Sequence, residues 1–153
     1  MKKIGPAKAA VLILILVLVT AAVAAFYLTT RTAVPEGVLR VEFADGKAAE
    51  LSLEKLEMVS IQGTVVNGKG DERVINAQGI LLSDVLREAG VTEYSMVTVT
   101  ADDEYSARVT AAEITEPGKV YLTRQEEGSM QLIVFGDENS KRNVTNVVRL
   151  SVQ

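Results

Sequence analysis

Met96-Val-Thr-Val-Thr-Ala-Asp-Asp-Glu-Tyr-Ser-Ala-Arg-Val-Thr110 is the stretch whose register decides the fold class. With Asp102-Asp103-Glu104 as a three-residue loop, Ala101 faces Tyr105, Val99 faces Ala107 and Val97 faces Val109, and one face of the hairpin is apolar. The other face pairs Thr100 with Ser106, Thr98 with Arg108 and Met96 with Thr110. A two-residue loop sets Val99 against Ser106 and Val97 against Arg108. Side chains alternate with a period of two, so a one-residue slip mixes the faces and the pattern selects the longer loop. This register puts Tyr105 on the apolar face, where core packing is expected of it, and leaves Asp102-Asp103-Glu104 as a solvated tip.

On the N-terminal side of this hairpin, Leu82, Val85, Leu86 and Ala89 fall at i, i+3, i+4 and i+7, with Gly90 suited to the left-handed position that ends a helix. Thr110-Ala-Ala-Glu113 has capping-box spacing, predicting a short helix to Thr115 that Pro117-Gly118 ends. Val38-Leu-Arg-Val-Glu-Phe43, followed by the turn Ala44-Asp-Gly-Lys47, predicts a hairpin opening, and Ser52 is placed to cap a short helix bearing Leu53 and Leu56. Val59 to Val66, Lys119 to Thr123, Met130 to Phe135 and Val144 to Val152 read as strands, and Asn67-Gly-Lys-Gly-Asp71 as a loop. The expectation for 38–153 is therefore an α+β fold, a mixed β-sheet domain with short helices.

Residues 9–30 differ in kind from this domain. They carry no charge and are dominated by Val11-Leu-Ile-Leu-Ile-Leu-Val-Leu-Val19. A helix of that length spans roughly 30 Å at about 1.5 Å per residue, the hydrocarbon thickness of a bilayer. Lys2, Lys3 and Lys8 precede it and Arg31 alone follows, which predicts a single-pass cell-membrane anchor, residues 1–8 in the cytoplasm and the domain outside. The competing reading is a cleavable signal peptide with Ala22-Val23-Ala24 as its small-x-small site, although the apolar run continues through Phe26 and Leu28. Residues 31–37, with Pro35 and Gly37, read as a linker.

The chain has 153 residues, Lys+Arg 16 against Asp+Glu 20, with four of the basic residues before position 32. The remainder is acidic by eight charges (12 against 20), a surface that repels the phosphates of nucleic acid and argues against it as a partner. No His and no Cys are present. The usual neutral-pH base, the thiolate nucleophile, disulfides and the usual zinc ligands are thereby excluded. Carboxylate, hydroxyl, Lys or Tyr chemistry remains, or binding without chemistry. Arg108, with Thr98 and Ser106 on the polar face, is the best candidate for an anion contact, and Asp103 a second ligand-contact candidate at the tip. The carboxylates at 102–104 do not have EF-hand spacing.

Three pieces, in this order and spacing, resemble the oxidoreductase molybdopterin-binding domain, the sulfite-oxidase-like fold, in a small stand-alone version covering roughly residues 50–152. They are Gly79-Ile-Leu-Leu-Ser-Asp-Val-Leu-Arg-Glu-Ala-Gly90, Val97-Thr-Val-Thr-Ala-Asp-Asp-Glu-Tyr-Ser106, and Gln131-Leu-Ile-Val-Phe-Gly136 with Lys141 to Ser151. The resemblance implies a molybdopterin cofactor and a metal-ligating cysteine after an early strand. The corresponding stretch, Ile61-Gln-Gly-Thr64, has Gly63 near that place and no ligand. Glu104 stands where the family has the glycine of an Asp-Gly-Tyr turn, so either Asp103 takes the left-handed conformation or the loop differs. Gln131 stands where the family has an arginine.

The resulting expectation is a membrane-anchored, extracytoplasmic module that holds no cofactor and binds a ligand or a membrane or envelope protein partner. Its rivals are a molybdopterin-dependent oxidoreductase or redox-complex subunit, and an envelope structural or adhesion module. Catalytic residues and metal ligands are expected to be none.

Overall fold

The computed structural model describes residues 6–30 and 37–153, with side chains described at 11–26 and 37–153. Two compact units divide near residue 33. The first contains helix α1 (Pro6–Thr30, 25 residues). Its described large apolar side chains are exposed, from Ile15 at 52% to Phe26 at 70%. Among the described residues no helix is long and apolar enough to cross a membrane. The expected span at 9–30 extends at both ends beyond the side chains described for α1, which are those of residues 11–26. Residues 1–5 and the linker at 31–36 lie outside the described residues.

The second unit is α+β, as the alternation predicts, and its strands form two sheets. One sheet has five strands: β1 (Val38–Glu42), β2 (Ala48–Ser52), β5 (Met96–Ala101), β6 (Ser106–Thr110) and β9 (Val147–Val152), in the order β2-β1-β9-β5-β6. β1 and β9 run parallel and the other pairs antiparallel. Leu39, Val41, Val97, Val99, Val109 and Leu150 are fully buried on its inner face. The second sheet has β3 (Val59–Val66), β4 (Glu72–Leu81), β7 (Val120–Arg124) and β8 (Met130–Val134), in that order and all antiparallel. Ile80, Val120, Leu122, Leu132 and Val134 from this sheet join the same core as the first.

Helix α2 (Leu82–Glu88) buries Leu82, Val85 and Leu86 in that core, while Arg87 and Glu88 are exposed. Gly90, at φ +81, supplies the left-handed residue past its end. Burying three such side chains removes enough apolar surface to stabilise the fold by roughly 5–8 kcal/mol before conformational entropy is subtracted. Helix α3 (Ala111–Thr115) has the expected capping box: Thr110 N donates to Glu113 Oε2 at 2.9 Å and Glu113 N to Thr110 Oγ1 at 3.4 Å.

Three local expectations are corrected. Leu53–Lys55 forms a 3₁₀ turn that Ser52 does not cap through its side chain, and only Leu53 is buried in it. β4 is a ten-residue strand absent from the sequence reading. β9 begins at Val147 rather than Val144, because the chain at 144 bonds elsewhere: Leu132 N donates to Val144 O at 2.8 Å, and Asn146 adopts φ 52.

Candidate functional site

The β5–β6 hairpin has the register that its hydrophobic pattern selects, with Val97 opposite Val109, Val99 opposite Ala107 and Thr98 opposite Arg108. Ala101 N donates to Tyr105 O at 2.8 Å, closing the three-residue loop. Glu104 itself, at φ 68, takes the left-handed position, rather than Asp103. Asp103 caps the turn: its Oδ1 accepts the Tyr105 N–H at 2.9 Å. That role is structural. Tyr105 is also corrected, since it is 52% exposed and its hydroxyl donates to Lys141 O at 2.5 Å rather than packing in the core. Ala101, opposite it, is buried in the core, but the tyrosine ring stays at the surface, where the Lys141 carbonyl holds its hydroxyl.

Arg108 and Asp103 are both exposed, and the hairpin separates them: one lies in mid-strand, the other in the loop. By register, the outer face of the five-stranded sheet carries Arg40 and Glu42, Arg149 and Ser151, Thr98 and Thr100, and Ser106 and Arg108. Arg40 Nε lies 3.1 Å from Glu42 Oε1, and Ser151 Oγ donates to Glu42 Oε2 at 3.1 Å. Arg149 Nη2 bonds to Glu104 Oε2 at 3.1 Å, while its Nε, 3.9 Å from Glu42, is buried without a hydrogen-bond partner among the described residues. The Arg108 side chain has neither a carboxylate nor a hydrogen-bond partner among the described residues. Hydroxyls at Thr98 and Ser106 flank it, so this face offers one uncommitted guanidinium beside hydroxyl donors and acceptors.

A second cluster went unread in the sequence. Arg142 donates through Nε to Asp137 Oδ2 at 2.8 Å, through Nη1 to Arg108 O at 3.2 Å, through Nη2 to Glu113 Oε1 at 2.8 Å, and also to Asp137 Oδ1. The guanidinium beside it, together with bonds from Thr110, holds the Glu113 carboxyl down at about 2, and the two carboxylates raise the Arg142 pKa. Four of the five N–H donors of Arg142 are used. The cluster clasps the segment before β9 to α3 and β6.

The place where the resemblance sets a metal-ligating cysteine, near Gly63, is occupied by an aromatic ring. A Cβ at Gly63 would lie 2.4 Å from Phe135 Cε1 and 2.7 Å from its Cδ1. The ring packs edge-on to Tyr121, with centroids 5.9 Å apart and planes at 69°. A lone glycine in the strand-like run at 59–66 was the available signal, because such a glycine marks close approach by another group. No side chain at this position has room to reach a metal. The chain also lacks thiolate and imidazole, so these residues do not fit a molybdenum–pterin group. Gln131 Oε1 accepts from Gln125 Nε2 at 2.8 Å across the β7–β8 turn. Among the described residues no three His, Cys, Asp or Glu side chains converge as a metal site.

No family model matches the chain, and no curated protein matches it.

Proposed function

We propose that the chain is a membrane-anchored, extracytoplasmic binding module on a molybdopterin-oxidoreductase-like scaffold, with no chemistry of its own. It takes a ligand or partner that presents an anionic group to the outer face of the five-stranded sheet. The observation that carries this reading is Arg108, an exposed cation without a partner among the described residues, whereas Arg40, Arg142 and Arg149 on or near the same sheet are each held by a carboxylate. A guanidinium left uncommitted beside Thr98 and Ser106 suits a carboxylate or phosphate, which it can meet through two parallel N–H donors.

The anchor reading is supported by the uncharged run at 9–30 and by the exposed apolar side chains around α1. A helix with no polar face needs an apolar surrounding, which lipid supplies. The scaffold reading rests on the three sequence pieces and on the α+β architecture. The aromatic packing at Gly63 favours binding over a molybdenum-dependent oxidoreductase.

Arginine side-chain NMR of the full chain in detergent, titrated with inorganic phosphate, tests the site. The Arg108 Nε–H resonance shifts saturably and Arg108→Gln abolishes the saturable binding. Equal, non-saturating shifts at all arginines would contradict the proposal.

A further inference from the structure

We infer that the ligand of the five-stranded sheet's outer face is a small dicarboxylate, one carboxylate meeting Arg108 and the other Arg149, and that Glu104 competes with it from within the chain for the second position. This rests on the reading of Arg108 above and adds to it a second contact and the group that controls it. Arg149 on β9 stands opposite Thr100, Thr100 stands opposite Ser106, and Arg108 follows two residues along β6 on the same face. Two steps between strands and one two-residue step along a strand put the two arginine Cα atoms roughly 12 Å apart. One small molecule spans the gap between two such long side chains. The residues between them on this face are Thr98, Thr100, Ser106 and Ser151, so the ground they share carries hydroxyls and no charge.

Arg149 is held far more loosely than Arg142. Its side chain makes one hydrogen bond, Nη2 donating to Glu104 Oε2 at 3.1 Å, and its Nε is buried without a hydrogen-bond partner among the described residues. The Glu42 carboxylate lies 3.9 Å from that Nε but is engaged by Arg40 and by the Ser151 hydroxyl. Glu104 presents its carboxylate from a left-handed loop position, φ 68, with 70% of the side chain exposed. An exposed ion pair of this kind contributes little, so an incoming carboxylate displaces it at small cost. Glu104 also shows which chemistry the position accepts: its carboxylate is an intramolecular stand-in for the second carboxylate of the ligand. A planar carboxylate matches the guanidinium fork, and the hydroxyls beside it supply further donors.

The test reads dissociation constants for acetate and for the dicarboxylates from succinate to adipate at the Arg108 and Arg149 side-chain Nε–H resonances of the full chain in detergent. One dicarboxylate is expected to bind about tenfold or more tighter than acetate, as a second tethered contact allows, and to shift both resonances with one binding curve. Arg149→Gln returns it to the acetate value. Glu104→Gln, which removes the competing charge, tightens the dicarboxylate by up to about fivefold and leaves acetate binding at Arg108 unchanged. The inference is overturned, with the Arg108 site intact, if acetate saturates Arg108 and no dicarboxylate binds tighter. It is overturned in the same way if Glu104→Gln strengthens acetate and dicarboxylate alike, which is a general effect of charge. If neither saturates Arg108, the site itself fails and the inference falls with it.

Discussion

The ring of Phe135, one residue beyond β8, occupies the space into which a Cβ on Gly63 of β3 would project, with ring atoms 2.4 to 2.8 Å from that point. These residues belong to opposite edges of one four-stranded sheet. Their contact means that the sheet curls until its edges meet through a side chain. The concave face is lined by Ile61, Val65, Thr123 and Ile133, all buried, and the ring packs edge-on with Tyr121.

Gly63→Ala therefore forces the ring out of this space and destabilises the domain by about 1–3 kcal/mol, the usual cost of overpacking. In a Phe135→Leu background the same change costs less, because the space has been opened. Urea unfolding of the four variants as a double-mutant cycle measures the coupling, and additive effects would show that the two residues do not compete for that space.

Glu104 holds a left-handed conformation at φ 68 and bonds to Arg149. Glu104→Gly and Glu104→Ala both delete that exposed ion pair but differ in backbone freedom. The glycine variant is expected to be more stable than the alanine variant by about 1 kcal/mol, read from thermal unfolding. Equal stabilities would place the strain elsewhere.

The Glu113 carboxyl sits at about 2 in the fold, against an ordinary value of 4.5. A depressed carboxylate contributes fully above its unfolded value and is progressively lost as pH falls toward the folded one, so this contribution disappears between about pH 4.5 and 2. After allowance for solvent screening, Glu113→Gln costs roughly 1–2 kcal/mol at neutral pH and flattens the stability profile across that window. Unfolding followed as a function of pH in both proteins checks the slope.

Arg108→Ala is expected to leave stability unchanged within about 0.5 kcal/mol, as for a surface residue outside any network. Its carbonyl still accepts from Arg142. A larger loss, seen by calorimetry, would show that the side chain is structural rather than available for binding.

The hairpin at 96–110 was legible because its two faces meet different surroundings and only one register keeps them apart. The α2 stripe and the α3 capping box were legible for the same reason, in that each is a local pattern with one physical solution. β4 was not, since Arg73-Val-Ile-Asn-Ala-Gln78 pairs along one edge with β3 and alternates only weakly in burial. Tyr105 was misplaced because the carbonyl that holds its hydroxyl at the surface belongs to Lys141, a partner distant in sequence that alternation does not register. For the candidate site, Arg108 was placed on its face by register arithmetic. Asp103 was singled out by charge alone, and its carboxylate proves to serve the turn. The Phe135–Gly63 contact and the Arg142 clasp join segments distant in sequence, and no spacing rule connects them.

The most direct measurement is the molybdenum and pterin content of the full chain purified from its source cells. With a phenylalanine ring filling the space at Gly63 and neither thiol nor imidazole in the polypeptide, both are expected to be far below stoichiometric in a colourless, folded protein. One tightly held molybdenum per chain would contradict the binding-module reading.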